Sequence, residues 1–301
     1  MEHESKSPYF LLNFKKPVKK GLQINQMIEI YRSVTKFLKR SHGIDISKYE
    51  ESFLHKSLQK RIAETHCDSV KAYFRFLQQN DTEVTHLLDS LHNSYSEFFR
   101  NPLTFALLEQ MILPSIILKK GKTKRKEIRI WSAACAAGQE VYSLAILLEE
   151  LKAGDFNKFT YRIFATDQSE SQINEARNGQ YSEQAIGNLN LKRVERWFTK
   201  QGETFNVKPE LKENIDFSIF DLFDEQLSSP PASIFGDFDL IVCANLLFYY
   251  KPEYQKIILH KTSFGLSKEG FLVSGETERE ILLNHQYKEV FLQSAIFHSS
   301  Q

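Results

Sequence analysis

Four places along this chain hold residue types whose chemistry could meet in one site. The first is "SAACAAGQE", residues 132–140, where a single glycine, Gly138, sits among alanines and a cysteine ahead of Glu140. The others are Asp167 in "IFATD", Asp221 in "IFDLF", and Ala244-Asn245 in "VCANLLFYY". A carboxylate such as Asp167 can accept hydrogen bonds from both hydroxyls of a ribose. The alternative is a helix N-cap, because "DQSES" precedes a helix. Three glycines in such a turn would let backbone close on a pyrophosphate; one glycine does not build that cradle. Small side chains still leave room for a nucleoside with an amino-acid tail. Glu140 would repel a phosphate and suits an ammonium or sulfonium instead. S-adenosylmethionine carries both.

These residues meet only if the elements bearing them end along one edge. From Ile128 the chain alternates strands and helices: "IRIWSAA", a helix at 139–151, "YRIFATD", the helix "SESQINEAR", then "IDFSIFDLF" and "FDLIVCANLLFYY". The helix "PEYQKIILHKTSFGL", the strand "GFLVSGETE" and a last apolar piece, "SAIFHSS", follow. Short, nearly continuous apolar strands with intervening helices imply a mostly parallel α/β sheet covered on both faces. In such a sheet ligands sit outside the carboxyl ends of the strands, which is where all four places fall. Residues 181–213 break the rhythm with the helix "RVERWF" and an antiparallel hairpin expected around Lys208-Pro209.

Residues 24–92 read as helices too short to stand alone, hence as a bundle. Ile28, Tyr31, Val34, Phe37 and Leu38 make one stripe closed by Gly43. Ser47 and Glu50 read as a capping box for the next helix, with Tyr49, Phe53, Leu54, Leu58 and Ile62 as its stripe. Asn101-Pro102 starts a further helix, Asn as cap and Pro at its first position, running towards Pro114. The basic stretch 118–127 reads as a connecting loop.

Composition narrows the class. The 301 residues carry a formal net charge of +1, so the whole molecule is not built to coat nucleic acid or an anionic membrane. Three cysteines in no CxxC pattern argue against a disulfide framework or zinc site and for a reducing compartment. Cys135 and Cys243 are expected as small buried hydrophobes in the pocket wall. The nine histidines show no ligand spacing, so no metal is expected. The start lacks a signal peptide, and no stretch approaches the ~18 apolar residues of a membrane span. A cytoplasmic, monomeric protein without membrane insertion is expected.

The motifs "SEFFRNP", "RIWSAACAAGQEVYSLAILLEE", "IFATDQSESQINEARNGQYS", "FDLIVCANLLFYY" and "GFLVSGETE" occur in the order found in the CheR-type glutamate O-methyltransferases of chemotaxis, which this chain resembles over about residues 24–278. "GIDISKYEESFLHKSLQKRI" and "SVKAYFRFLQQ" match the helical segment. The resemblance implies a Rossmann-like S-adenosylmethionine-dependent methyltransferase sheet with an N-terminal all-helical domain and a small inserted antiparallel β-subdomain. Its boundaries would be an extension at 1–23, the helical domain at 24–118, a basic linker at 119–127 and the methyltransferase domain at 128–301, with the insertion at about 181–213.

It also implies S-adenosyl-L-methionine as cofactor, S-adenosyl-L-homocysteine as product, and methyl esterification of glutamates on a helical chemoreceptor-like signalling protein. The cofactor contacts carried over are Ser94, Ser96, Arg100, Glu140, Asp167, Asp221, Leu222, Ala244 and Asn245. Arg100 is the candidate for orienting a carboxylate, its alternative being a structural ion pair; Tyr249 either lines the substrate side or is a core aromatic. Lys36, Lys39, Arg40, Lys56, Lys60 and Arg61 would meet an acidic receptor surface or simply face solvent. The chain departs from the family where Ala244 replaces an Arg and Asp221 an Asn, which makes the pocket more acidic. Two other functions remain on this reading: a catalytically weak or inactive cofactor-binding module, and a methyltransferase with another acceptor.

Overall fold

The computed structural model describes residues 20–91, 96–123, 126–154, 156, 158–233 and 236–298. Ser94, and the expected extension as far as residue 19, lie outside the described residues. The chain divides into two compact units, Met1–Ser47 with Glu51–Leu88 and Lys48–Glu50 with Asp89–Gln301.

The helices α1 (Lys20–His42), α2 (Glu51–Glu64), α3 (Val70–Gln78) and α4 (Asp81–Leu91) make up the first unit, α4 running just past its end. Apolar residues spaced three and four apart put Val34 and Leu38, Leu54 and Leu58, Tyr73 and Leu77, and Val84 and Leu87 into its core. Gly43 ends α1 in the left-handed conformation (φ 70°), and the Ile44 N–H reaches back to the Leu38 carbonyl at 3.1 Å. The expected capping box is corrected. Helix α2 starts at Glu51, so Ser47 lies outside it and gives its N–H to Asp45 at 2.9 Å. Tyr49 instead sits in an isolated antiparallel bridge to Tyr250, flanked by backbone bonds from Glu50 to Tyr249 and from Lys251 to Lys48. The basic face is also smaller than expected. Arg61 donates to both Glu83 oxygens at 2.9 and 2.6 Å, and the Tyr73 hydroxyl donates to the same carboxylate at 2.8 Å. Such a bidentate, enclosed pair is interior structure rather than docking surface.

The second unit opens with α5 (Pro102–Leu107) and α6 (Leu113–Gly121), continuous through a π turn at Leu108–Ile112. The sequence suggested a helix ending near Pro114 and a loop from residue 118; the helix in fact runs on to Gly121. Proline lacks an N–H and crowds the preceding turn, and the widened turn just before it relieves both problems. Lys120 pairs with Asp239 at 2.9 Å and Lys119 with Glu269 at 3.3 Å, which holds the last turn down. Phe105, Leu108, Ile112, Leu113, Ile116 and Ile117 enter the core of this unit, so the helix packs with the sheet. The stretch Pro102–Gly121 is long and apolar enough by composition to cross a membrane, contrary to expectation; its apolar face is taken up by this core. Asn101 precedes α5 without a side-chain cap bond, in a left-handed conformation (φ 63°).

The strands are β1 (Glu127–Ala133), β2 (Thr160–Asp167), β3 (Gln180–Ser182), β4 (Phe198–Gln201), β5 (Thr204–Val207), β6 (Ile215–Ile219), β7 (Phe238–Val242), β8 (Leu266–Val273), β9 (Lys288–Glu289) and β10 (Ile296–His298). Between them lie α7 (Gln139–Ala153), α8 (Glu170–Asn178), α9 (Leu191–Trp197), α10 (Pro252–Gly265) and α11 (Arg279–Asn284). The main sheet has the order β6-β2-β1-β7-β8-β10-β9. Its first five members are parallel, and β10 and β9 add on antiparallel. The chain departs from β1 in both directions, through β2 to β6 and through β7 to β8, so the switch point lies at β1 and β7. Helix α7 is buried without a break from Val141 to Leu148, as a helix enclosed on all sides must be. The small sheet β3-β5-β4 is antiparallel. Its hairpin turns at Gly202 (φ 62°), not at Lys208-Pro209, where the proline instead opens a short 3-10 turn.

Candidate active site

The turn after β1 is bound to the end of β2. The Ala134 and Cys135 N–H groups both donate to the Thr166 carbonyl at 2.8 Å, and the Trp131 indole donates to the Thr166 hydroxyl at 2.9 Å. Ala134 and Ala136 sit at positive φ (71° and 47°), a cost that small side chains limit. Within this turn, Gly138 is the position where glycine is required. Its φ is 90°, and a Cβ there would come within 2.9 Å of the Ala176 Cβ, so α7 can start only because nothing protrudes.

Asp167 is not the cap of α8; Ser169 is, accepting from the Gln172 N–H at 3.4 Å. One Asp167 oxygen accepts the Ser169 N–H at 2.9 Å and the other the Ala136 N–H at 3.0 Å. An ionised carboxylate has about four acceptor sites, so it can take several hydrogen bonds at once. Asp221 similarly holds its own turn, accepting the Phe223 N–H at 2.9 Å. Leu222 is buried beside it.

Glu140, on the first turn of α7, accepts from the Ser132 hydroxyl at 2.7 Å. Its carboxyl is raised to about 7: enclosure pushes it up most, the Ser132 bond and the Arg100 charge pull it down, and the Glu278 charge adds to the rise. Arg100 is flanked by Phe99 (φ 51°) and Asn101 (φ 63°), and the Phe99 N–H is tied to the Ser143 hydroxyl on α7 at 3.0 Å. These bonds hold the arginine's segment against the helix that bears Glu140.

Across β7, Asn245 has φ 60°, and the loop after it is organised by Glu278, a residue that sequence reasoning missed. The Glu278 side chain is fully buried. It accepts the Asn245 and Gly275 N–H groups on one oxygen (2.7 and 2.8 Å) and those of Leu247 and Phe248 on the other (2.6 and 3.4 Å). Its burial outweighs the four donors and pushes its carboxyl above the ordinary range. A Cβ on Gly275 would collide with the Asn245 carboxamide. The only signal was the terminal Glu of "GETE", which resembles the family pattern without stating a role.

The turns after β1, β2, β6 and β7 border one cleft of about 1170 Å³, open solvent at its mouth included. Ser96, Arg100, Glu140, Asp167, Asp221, Leu222, Ala244, Asn245 and Tyr249 line it, as do Tyr49 and Gln168, which sequence reasoning did not place there. Cys135 lines it too, whereas Cys243 is buried but not among the lining residues; burial raises both thiols well above their ordinary range, so they are neutral. Among the described lining residues Arg100 is the one cation, and none is lysine or histidine. No cluster suited to a metal occurs among the described residues. A cleft with carboxylates at both ends, small residues between and no cradle for phosphate fits a nucleoside bearing a cationic tail.

This sheet order, with a helical unit ahead of it and this cleft at the switch point, defines an S-adenosylmethionine-dependent methyltransferase, and S-adenosylmethionine is its cofactor. Residues 94–296 match the family described as "CheR methyltransferase, SAM binding domain", and residues 29–92 match its "all-alpha domain". The chain belongs to the CheR methyltransferase family. It is 30% identical to the chemotaxis protein methyltransferase of Borreliella burgdorferi, over 86% of this chain and 90% of that protein. It is 28% identical to chemotaxis protein methyltransferase 1 of Pseudomonas aeruginosa, over 92% of this chain and 98% of that one.

Cofactor affinity should depend on pH through Glu140. Below about pH 7 its carboxyl is protonated, so a cationic tail seated on it would have to displace a proton. Affinity for S-adenosylhomocysteine is expected to rise up to about tenfold per unit as pH increases towards 7, then level off. Calorimetry in buffers of different ionisation enthalpy reads the proton directly. Glu140→Gln should flatten the profile; an unchanged profile would place the tail elsewhere. For folding the sign is opposite. A carboxyl raised above its unfolded value holds extra protons in the native state, so its contribution to stability is lost as pH rises from about 4.5 through 7.

Proposed function

We propose that the chain methylates glutamate side chains of a helical chemoreceptor-like signalling protein in the cytoplasm, forming γ-methyl esters. The observation that carries this reading is the charge of the described cleft lining: several carboxylates, one guanidinium at Arg100, and no lysine or histidine to serve as a base. A hydroxyl or ammonium acceptor would have to lose a proton before it reacts. A glutamate, with an ordinary pKa of about 4.3, is already ionised at neutral pH and needs no base. When bound, S-adenosylmethionine supplies an electrophilic methyl carbon: the carboxylate oxygen–carbon bond forms as the carbon–sulfur bond breaks, its electron pair stays on sulfur, and no proton moves.

The residues would then act by position. Glu140, Asp167, Asp221, Leu222, Ser96, Ala244 and Asn245 would hold the cofactor, Glu140 through its ammonium and Asp167 through its ribose. Arg100 would orient the acceptor carboxylate through paired hydrogen bonds, and Tyr249 would border the acceptor. Positioning of this kind is worth up to about 7–11 kcal/mol. In the helical unit Lys36, Arg40 and Lys56, which are exposed, remain candidates for meeting acidic receptor helices, while Arg61 is committed to Glu83.

The test is transfer of labelled methyl to a chemoreceptor cytoplasmic fragment. Label released as methanol by mild alkali, absent when the acceptor glutamates are replaced, and reduced about thirtyfold by Arg100→Ala through loss of about 2 kcal/mol of charged hydrogen bonding, is the expected result. Alkali-stable label would mean another acceptor. Tight S-adenosylhomocysteine binding with no transfer would favour a binding module, a reading motivated by Ala244 lining the cleft without a cation.

A further inference from the structure

One residue from ahead of α2, Tyr49, lines this cleft. Lys48–Glu50 belong to the sheet unit although the chain on both sides does not. The segment is joined to the loop after β7 by the Glu50 N–H on the Tyr249 carbonyl (2.8 Å) and the Lys251 N–H on the Lys48 carbonyl (3.0 Å). The Tyr49 ring stacks on Tyr250, centroids 5.0 Å apart and planes 20° from parallel, and the Lys48 ammonium lies 4.3 Å from the centre of the Phe223 ring. Tyr49 is 3% exposed, and its hydroxyl shares hydrogen bonds with Gln168 and the Tyr250 hydroxyl. Gln168 follows Asp167 directly, and burial first, then the Asp221 and Asp167 charges, raise the Tyr49 phenol above its ordinary range. The phenol is therefore neutral and stands at the end of the cleft formed by β2 and β6. Arg100, Glu140 and Asn245 belong to the other end, at β1 and β7.

We infer that Tyr49 is a positioning and specificity residue for the nucleoside half of the cofactor. Its ring supplies apolar wall, and its hydroxyl fixes Gln168 and with it the turn that presents Asp167. The cleft is thus incomplete in residues 94–296 alone; Tyr49, which lines it, lies inside the stretch matched by the all-alpha family. This rests on the reading of the cleft as the S-adenosylmethionine site.

The experiment uses the full chain with two probes, S-adenosylhomocysteine and 5′-methylthioadenosine, which lacks the amino-acid tail. Tyr49→Ala is expected to weaken both by the same factor, at least about tenfold, because only nucleoside contacts change. Glu140→Ala should weaken S-adenosylhomocysteine alone. Tyr49→Phe keeps the ring and the fold and should recover most of the loss, leaving about a threefold deficit from the missing hydroxyl. Thermal unfolding of Tyr49→Phe equal to that of the unsubstituted chain makes the threefold readout independent of folding. Wild-type affinity for both probes in Tyr49→Ala and Tyr49→Phe, or a loss confined to S-adenosylhomocysteine, would overturn the assignment. If the unsubstituted chain binds neither probe, the cofactor reading itself fails and Tyr49 falls with it; the wild-type titration separates the two failures.

Discussion

Asp167→Ala is expected to weaken S-adenosylhomocysteine binding by about three hundredfold, close to 3.4 kcal/mol. Two charge-assisted bonds to a ribose diol account for most of this, at about 1.5–3 kcal/mol each. The rest comes from the protein side. The same carboxylate accepts the Ala136 and Ser169 N–H groups, so its removal frees the strained turn between β1 and α7 as well as the start of α8. Asp167→Asn retains one carbonyl oxygen and can keep one of those backbone bonds, so a loss of about tenfold is expected. Calorimetric titration of both variants, with unfolding curves alongside, measures the two parts separately. Binding by Asp167→Ala within threefold of the unsubstituted chain would mean that no ribose lies at the end of β2.

The second large effect is on folding. Glu278→Ala should lower stability by about 4 kcal/mol, within the 3–5 kcal/mol typical of breaking a buried charged cluster. Four N–H donors, from Gly275, Asn245, Leu247 and Phe248, lose their acceptor, and no side chain of alanine's size can replace it. For a unit of this size that corresponds to a fall in Tm of about 8–16 °C. Methyl transfer should fall as well, because the loop released is the one that carries Asn245 and Tyr249 to the cleft. Glu278→Gln sets an amide group against some of the same donors and should lose about half as much. The check is denaturant unfolding followed by transfer assays below the transition. A Glu278→Ala chain of unchanged stability would show that packing around Leu247, rather than the carboxylate, holds this loop.

The alternation of strand and helix after Ile128 could be read along the chain because it is local. Apolar runs such as "IRIWSA" and "FDLIVCA" must be covered on both faces, and the turns between them bear the polar residues. The order of the strands then sends Glu140, Asp167, Asp221 and Asn245 to one edge, so much of the candidate site followed from the pattern alone. The small turn was legible for the same reason, since a φ of 90° against Ala176 admits only Gly138. What the tertiary structure decided are the pairings between distant segments. Tyr49 reads as one more apolar position of a helix until its backbone is found bridged to Tyr250, two hundred residues on. Glu278 has no role in "GETE" until the loop after β7 wraps its N–H groups around it. Arg61 reads as part of a basic face until Glu83 and Tyr73 close on it. A helix that should have stopped at Pro114 continues because the core of the sheet unit rewards its burial and a π turn absorbs the proline. Periodicity records which face of an element is buried; it does not record which distant backbone or carboxylate will be waiting there, and that is settled only by the packing of the whole fold.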